Sequence, residues 1–194
     1  MHLTILINIQ NPQATMKILK TIGIILFLII AIPLIAALFT KKDVHVSREI
    51  TIEQPKKVVF DYMKYLKNQH NYSKWDSIDP NMERNYSGTD GEVGFIYSWK
   101  SDDPQVGIGE QEILAIDDAN RIEYALRFTE PFKGESLVYL EFEALSSNKT
   151  KVIWGFDETY DYPKNILLWF FDLDKMIGDD FGIGLNNLKE IMEK

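Results

Sequence analysis

Eight apolar side chains, Ile166, Phe170, Leu173, Ile177, Phe181, Leu185, Leu188 and Met192, follow one another at steps of three or four. That spacing stacks them on one face of an α-helix, which turns once in 3.6 residues. It predicts one long amphipathic helix over residues 164–194. Asp172, Asp179, Asn186, Lys189, Glu190 and Glu193 fall mostly off the stripe. A face so apolar must be buried by another part of the chain, so the rest of the fold has to supply a surface that fits it. Gly178, Gly182 and Gly184 interrupt the pattern at a cost of about 1 kcal/mol each relative to alanine. They predict either a bend or a close approach of the helix backbone to that surface.

The surface is legible upstream, where the period changes from 3.6 to two. Val93, Phe95, Tyr97 and Trp99 alternate with smaller or polar residues, as do Ile122, Tyr124, Leu126 and Phe128, then Val138, Leu140 and Phe142, then Val152, Trp154 and Phe156. Polar turns at 87–91, 101–104, 117–120, 131–134 and 146–149 separate these runs, a pattern that predicts an antiparallel meander from 82 to 160. Ahead of it, residues 45–52 alternate as a half-buried strand. Pro55 suits the first turn of a helix carrying Val58, Val59, Tyr62, Met63 and Leu66, and a shorter helix is expected over 69–75, broken by Asp79-Pro80-Asn81. The order is strand, two helices, six strands, long helix, an α+β plan. A seven-stranded sheet twists and curls. A single long helix can fill its concave face, but helix and sheet packed at one end leave space at the other, so a pocket is expected between them.

From residue 21 to residue 39 there is no charge at all, and about 1.5 Å of rise per residue carries such a helix through a bilayer core. The expected organisation is a tail at 1–17, a single-pass transmembrane anchor at 18–40, a linker at 41–44 and a soluble domain at 45–194. Lys17 and Lys20 resemble the n-region of a secretory signal, but the apolar run is longer than a signal core and lacks a small-x-small cleavage site. Lysines flank it almost equally (Lys17 and Lys20 against Lys41 and Lys42, with Arg48 beyond), so orientation stays open. Met16 is an alternative start to Met1.

Charge and composition narrow the function classes. All 29 acidic residues follow Lys42, against 17 of the 21 basic ones, a balance that argues against nucleic acid as a partner. The chain has no cysteine, which removes disulfides, thiolate metal sites and a cysteine nucleophile. His2, His45 and His70 lack a metal-ligand spacing. Gly107-Ile108-Gly109 lacks the third glycine and the strand-to-helix context of a nucleotide loop. No cofactor or metal is expected.

The ordered set Val46, Arg48, Ile50, Ile52, Pro55, Val59-Phe60, Leu66 and Trp75, the meander, and the closing run Gly184-Leu185-Asn186-Asn187-Leu188-Lys189 resembles the START-like, helix-grip superfamily. Within it the likeness is to the SRPBCC group labelled polyketide cyclase/dehydrase and lipid transport. The resemblance covers about residues 44–194 and implies a hydrophobic cavity under the C-terminal helix for lipids, sterols, polyketides or other apolar molecules. It carries over no catalytic residue, since the superfamily shares none.

Candidate ligand-binding residues are Trp75, Tyr97, Trp99, Glu112, Tyr124, Phe128, Phe142, Trp154, Phe156, Phe170, Met176 and Phe181. Pockets are mostly apolar with a few polar groups that fix orientation, although aromatics at half-buried strand positions also serve simply as core. Glu110 and Glu112 share one strand face; they could do acid–base work in a pocket, or pair across strands with Arg127 on a solvated face. Asp179-Asp180 could cap a restarted helix. The expected function is membrane-anchored binding of a hydrophobic small molecule or lipid. The alternatives are a cyclase-type enzyme on a polyketide-like substrate, which needs a polar cluster inside the pocket and would be favoured by Glu112, Arg127 or Tyr139 pointing inward together, and a tethered interaction domain with a filled interior.

Overall fold

The computed structural model describes residues 12–130 and 133–194, so most of the tail, including His2, and part of the turn at 131–134 lie outside the described residues. The chain divides into two compact units, Met1–Lys42 with Asp161–Phe170, and Asp43–Tyr160 with Phe171–Lys194. In the first unit, helix α1 runs over Pro12–Ala37 with Pro33 inside it. Its stretch Thr15–Ala37 is long and apolar enough to cross a membrane. Helical structure therefore starts earlier than the expected 18. Asp161–Phe170 carries a 3-10 helix at Lys164–Trp169.

The second unit is a seven-stranded sheet of β1 (Asp43–Ile52), β2 (Glu83–Ser87), β3 (Ile96–Lys100), β4 (Ile108–Asp117), β5 (Arg121–Glu130), β6 (Gly134–Ser146) and β7 (Lys149–Thr159). The spatial order is β1-β7-β6-β5-β4-β3-β2, antiparallel throughout, so the meander is as expected and β1 closes it by pairing with β7. Register shifts in β4 at Ile108/Gly109 and Ile113/Ala115 and near Ala144/Ser146 in β6 mark bulges, which bend strands and add twist. Helix α2 (Lys56–Met63) buries Val59, Phe60 and Met63. A 3-10 helix at Leu66–Asn71 and helix α3 (Lys74–Ile78) follow, in place of the single short helix expected over 69–75.

The long C-terminal helix is present but shorter than its periodicity suggests. Helix α4 runs over Leu173–Met192, and the Asp172 carboxylate caps it by accepting from Lys175 N, the role an N-cap acid plays for the unpaired donors of a first turn. Ile166 and Phe170 therefore lie outside the helix they appear to extend. Phe181, Leu185 and Leu188 form its buried stripe and pack with Val46, Val152 and Trp154 of the sheet in one core. The helix runs through its glycines without a break. At Gly178 an added Cβ would lie 2.0 Å from Arg48 Nη2, and at Gly184 it would lie 2.9 Å from the Trp154 ring, so close approach explains both; Gly182 has nothing within 4 Å. Asp179 and Asp180 are mid-helix and cap nothing: they pair with Lys175 and Lys74.

Candidate ligand cavity

Side chains on the inner face of the sheet line up in cross-strand rows. Trp99 on β3 stands opposite Gly109 on β4, and Gly109 opposite Phe128 on β5. A Cβ on Gly109 would meet the Trp99 ring at 2.7 Å; with none there, the indole lies down across the strand. Trp99 Nε1 then donates to Val106 O at 3.3 Å, and its ring meets Phe128 edge-on at 5.7 Å. The next row sets Tyr97 opposite Gln111 and Gln111 opposite Leu126. Trp154 and Phe156 complete the wall from β7, and from α4 the Phe181 ring stacks on Trp154 at 4.6 Å.

These rows, α3 and α4 enclose a cavity of about 230 Å³. Of the candidate residues, Trp75, Tyr97, Trp99, Phe128, Trp154, Phe156 and Phe181 line it. The other five lie elsewhere. Tyr124 and Phe142 face inward but are core, Phe142 packing edge-on against Phe60 of α2. Burial drives the Tyr124 phenol far above the usual tyrosine range. Met176 is 55% exposed on α4, one residue from Ile177, which does line the cavity. Phe170 is 75% exposed and belongs to the first unit.

Glu112 points to the opposite face of the sheet. It accepts from Arg127 Nη1 at 2.7 Å, and Glu110 does so at 3.0 Å. These bonds, Glu112's first, raise the Arg127 pKa, so the three form a charge pair network across β4 and β5. Tyr139 is packed outside as well, over Gly155 and under the Arg121 guanidinium. Glu112, Arg127 and Tyr139 thus do not line the cavity.

Different polar groups take that place. Asp76 on α3 is buried and lines the cavity. Its Oδ1 accepts from Arg84 Nη2 at 3.1 Å, from Arg84 Nε at 3.3 Å and from Tyr97 Oη at 3.3 Å. Burial, then the nearby carboxylate, raise the Tyr97 pKa, so the phenol is a neutral donor. Gln111 is 5% exposed, lines the cavity, and its carboxamide has no hydrogen-bond partner among the described residues. The fully buried side-chain atoms without a partner among the described residues are Tyr124 Oη and Asn165 Oδ1; the Gln111 amide opens on the cavity, where a bound group can answer it. Sequence reasoning singled out Glu110 and Glu112 and passed over the residue between them. The signal was available: two acids sharing one face oblige Gln111 to share the other with Gly109 and Ile113. Asp76 had no comparable signal, because the boundary of α3 was misplaced.

The lining contains no lysine, arginine or histidine; Asp76 is its sole ionisable acid and is already matched by Arg84. The cavity can therefore take up apolar surface and, through Gln111, Ser73 and Gln69, satisfy a few hydrogen-bonding groups, and it offers an anion no counter-charge. Among the described residues, no group of three His, Cys, Asp or Glu side chains is placed to hold a metal ion.

No family model matches the sequence, and no curated protein does. Solved structures do match the fold. A protein from Thermobifida fusca determined by solution NMR is 18% identical, with 76% of this chain and 92% of that one aligned at a TM-score of 0.57. The Aha1 dimer from Colwellia psychrerythraea is 13% identical over 77% of this chain and 96% of that one, at 0.54. Ara h 8.0201 is 13% identical over 78% and 99%, at 0.52. At such identities the likeness is one of fold, and folds host many functions. The curved antiparallel sheet closed by a C-terminal helix is a helix-grip fold.

Proposed function

We propose that this protein binds a small, uncharged, largely apolar molecule bearing one or a few hydrogen-bonding groups, beside a membrane to which α1 tethers it. The observation that carries this reading is the cavity under α4, with aromatic walls, an unanswered Gln111 amide and no cation. Its volume lies below the roughly 300–1,000 Å³ usual for drug-sized ligands, which favours a short-chain or single-ring compound over a whole phospholipid. Removing apolar area from water at about 25 cal/mol per Å² supplies the affinity, and Gln111 supplies selectivity. The fold likeness, and the resemblance of residues 44–194 to the SRPBCC group, support a pocket at this place. An anchor suits such a ligand, because apolar compounds concentrate in bilayers.

The test uses residues 43–194. Small molecules carried through purification are extracted and identified by mass spectrometry. Displacement of the neutral fluorophore N-phenyl-1-naphthylamine is then compared for 1-octanol and octanoate. Octanol should compete, and octanoate should be weaker by more than about tenfold, since its charge would be buried unpaired. No saturable binding, or octanoate equal to octanol, would sink the proposal.

A further inference from the structure

Phe170, expected in the cavity, stands 75% exposed, and it does not stand alone. It ends the segment Asp161–Phe170, which packs with the end of α1 in one unit. In that segment Leu167 and Trp169 are exposed as well, and just past α1 so are Leu38 and Phe39. Large apolar side chains from two parts of the chain more than 120 residues apart thus collect at one end of one helix. A patch of this kind marks a surface that meets something other than water.

Asn165 makes the junction. It is fully buried, and its Nδ2 donates to Ala37 O at 2.7 Å and to Thr40 O at 3.1 Å. The amide orientation is unambiguous, because the flipped form would set Oδ1 against two carbonyl oxygens. Thr40 Oγ1 donates to Ala36 O, and the amides of Leu38, Phe39 and Thr40 donate to Ile35 O, Ala36 O and Ala37 O. The final carbonyls of a helix normally turn to solvent. Here protein donors satisfy those of Ile35, Ala36 and Ala37, which suits a helix end where water is scarce, while Asn165 Oδ1 is buried without a partner among the described residues.

We infer that Asp161–Phe170 is a membrane-interface strap. It closes the end of α1 through Asn165 and lays Leu167, Trp169 and Phe170, together with Leu38 and Phe39, into the boundary between acyl chains and headgroups. The inference rests on the reading of α1 as a tether. Its occupant is the bilayer because the exposed apolar surface of α1 runs into the patch without a break through Ile32, Leu34 and Ile35. Aromatic rings favour that depth. Lys41, Lys42 and Lys164, all exposed beside the patch in sequence, can extend their ammonium groups to the headgroups while their stems stay in apolar surroundings.

The chain has no cysteine, so single nitroxide labels can be placed in the full-length protein by Ile25→Cys, Phe170→Cys and Ser147→Cys, all at exposed positions. In phosphatidylcholine vesicles, collision with oxygen reports hydrocarbon and collision with a water-soluble nickel chelate reports water. The label at 25 should be deep and the one at 147 aqueous, with the one at 170 open to oxygen and several-fold less open to nickel than 147. Adding Asn165→Ala to the labelled 170 variant should raise its nickel accessibility several-fold and leave position 25 unmoved. If 170 behaves as 147 does while 25 lies in hydrocarbon, the strap is overturned and the tether stands. If 25 is itself aqueous, or the native product lacks the α1 residues, the tether reading fails and the strap falls with it.

Discussion

Gln111 owes its place to parity. Its neighbours Glu110 and Glu112 are held on the outer face by Arg127, which turns Gly109, Gln111 and Ile113 to the inner face. If the proposed reading holds, an amide placed there serves binding rather than stability, and the two effects separate in one variant. Gln111→Leu should leave the domain as stable as before or more so, by up to about 1 kcal/mol, because it removes an unanswered polar group. The same change should weaken octanol binding about 2–10-fold, the value of one neutral hydrogen bond. Thermal melts and displacement titrations on the same preparation read both; unchanged affinity would remove Gln111 from the site. Trp99 and Phe128 were legible as lining because strand parity gives the face a side chain takes. Tyr124 and Phe142 share that face and are nonetheless core, since parity is silent about position along the strand, and at their end Phe60 of α2 fills the space.

For the elements, α4 shows how far periodicity carries. Phe170 and Ile166 keep the spacing of the buried stripe, yet the helix begins at Leu173, where Asp172 supplies a cap; local capping chemistry, not the apolar period, fixes the boundary. The three glycines of this helix are a controlled series. Gly182→Ala meets nothing within 4 Å and should raise stability by up to about 1 kcal/mol through helix propensity. Gly184→Ala would press on the ring of Trp154, itself stacked on Phe181 and 3% exposed, so the neighbour has little room to yield and a loss of about 1–3 kcal/mol is expected. Chemical denaturation of residues 43–194 carrying each change should order the variants Gly182→Ala, wild type, Gly184→Ala. Equal stability for all three would mean the helix does not rest on Trp154 as described.

Across the whole domain, the first strand is tied to both the last strand and the last helix. Arg48 on β1 donates through Nη1 to Asp174 Oδ1 at 3.0 Å and through Nη2 to Asp174 O at 2.8 Å. The side-chain hydrogen bond from Arg48 holds the Asp174 carboxyl below its ordinary value of 3.8. Because the folded pKa is the lower one, this contribution is present above the unfolded value, and it is lost as pH falls through the folded value. The Tm difference between wild type and Asp174→Asn should therefore be flat from pH 7 to about 5 and shrink below about pH 4. A difference that grew on acidification would reverse the assignment. The meander and the closing helix could be read from the alternating runs and the apolar stripe, because both follow from local periodicity. The division that takes Asp161–Phe170 out of the unit that holds the sheet could not, because it depends on Asn165 meeting Ala37 and Thr40 across a long stretch of chain. The pairing of β1 with β7 has a temporal side. Ile52 faces Thr150 and Asp43 faces Thr159, so at about 5–20 residues per second of synthesis the first strand waits on the order of 5–20 s for its partner. During that interval Val46, Ile50 and Ile52 have no sheet to join, and the charges interleaved with them, Asp43, Arg48 and Glu49, are what keep the nascent edge from pairing with a neighbouring chain.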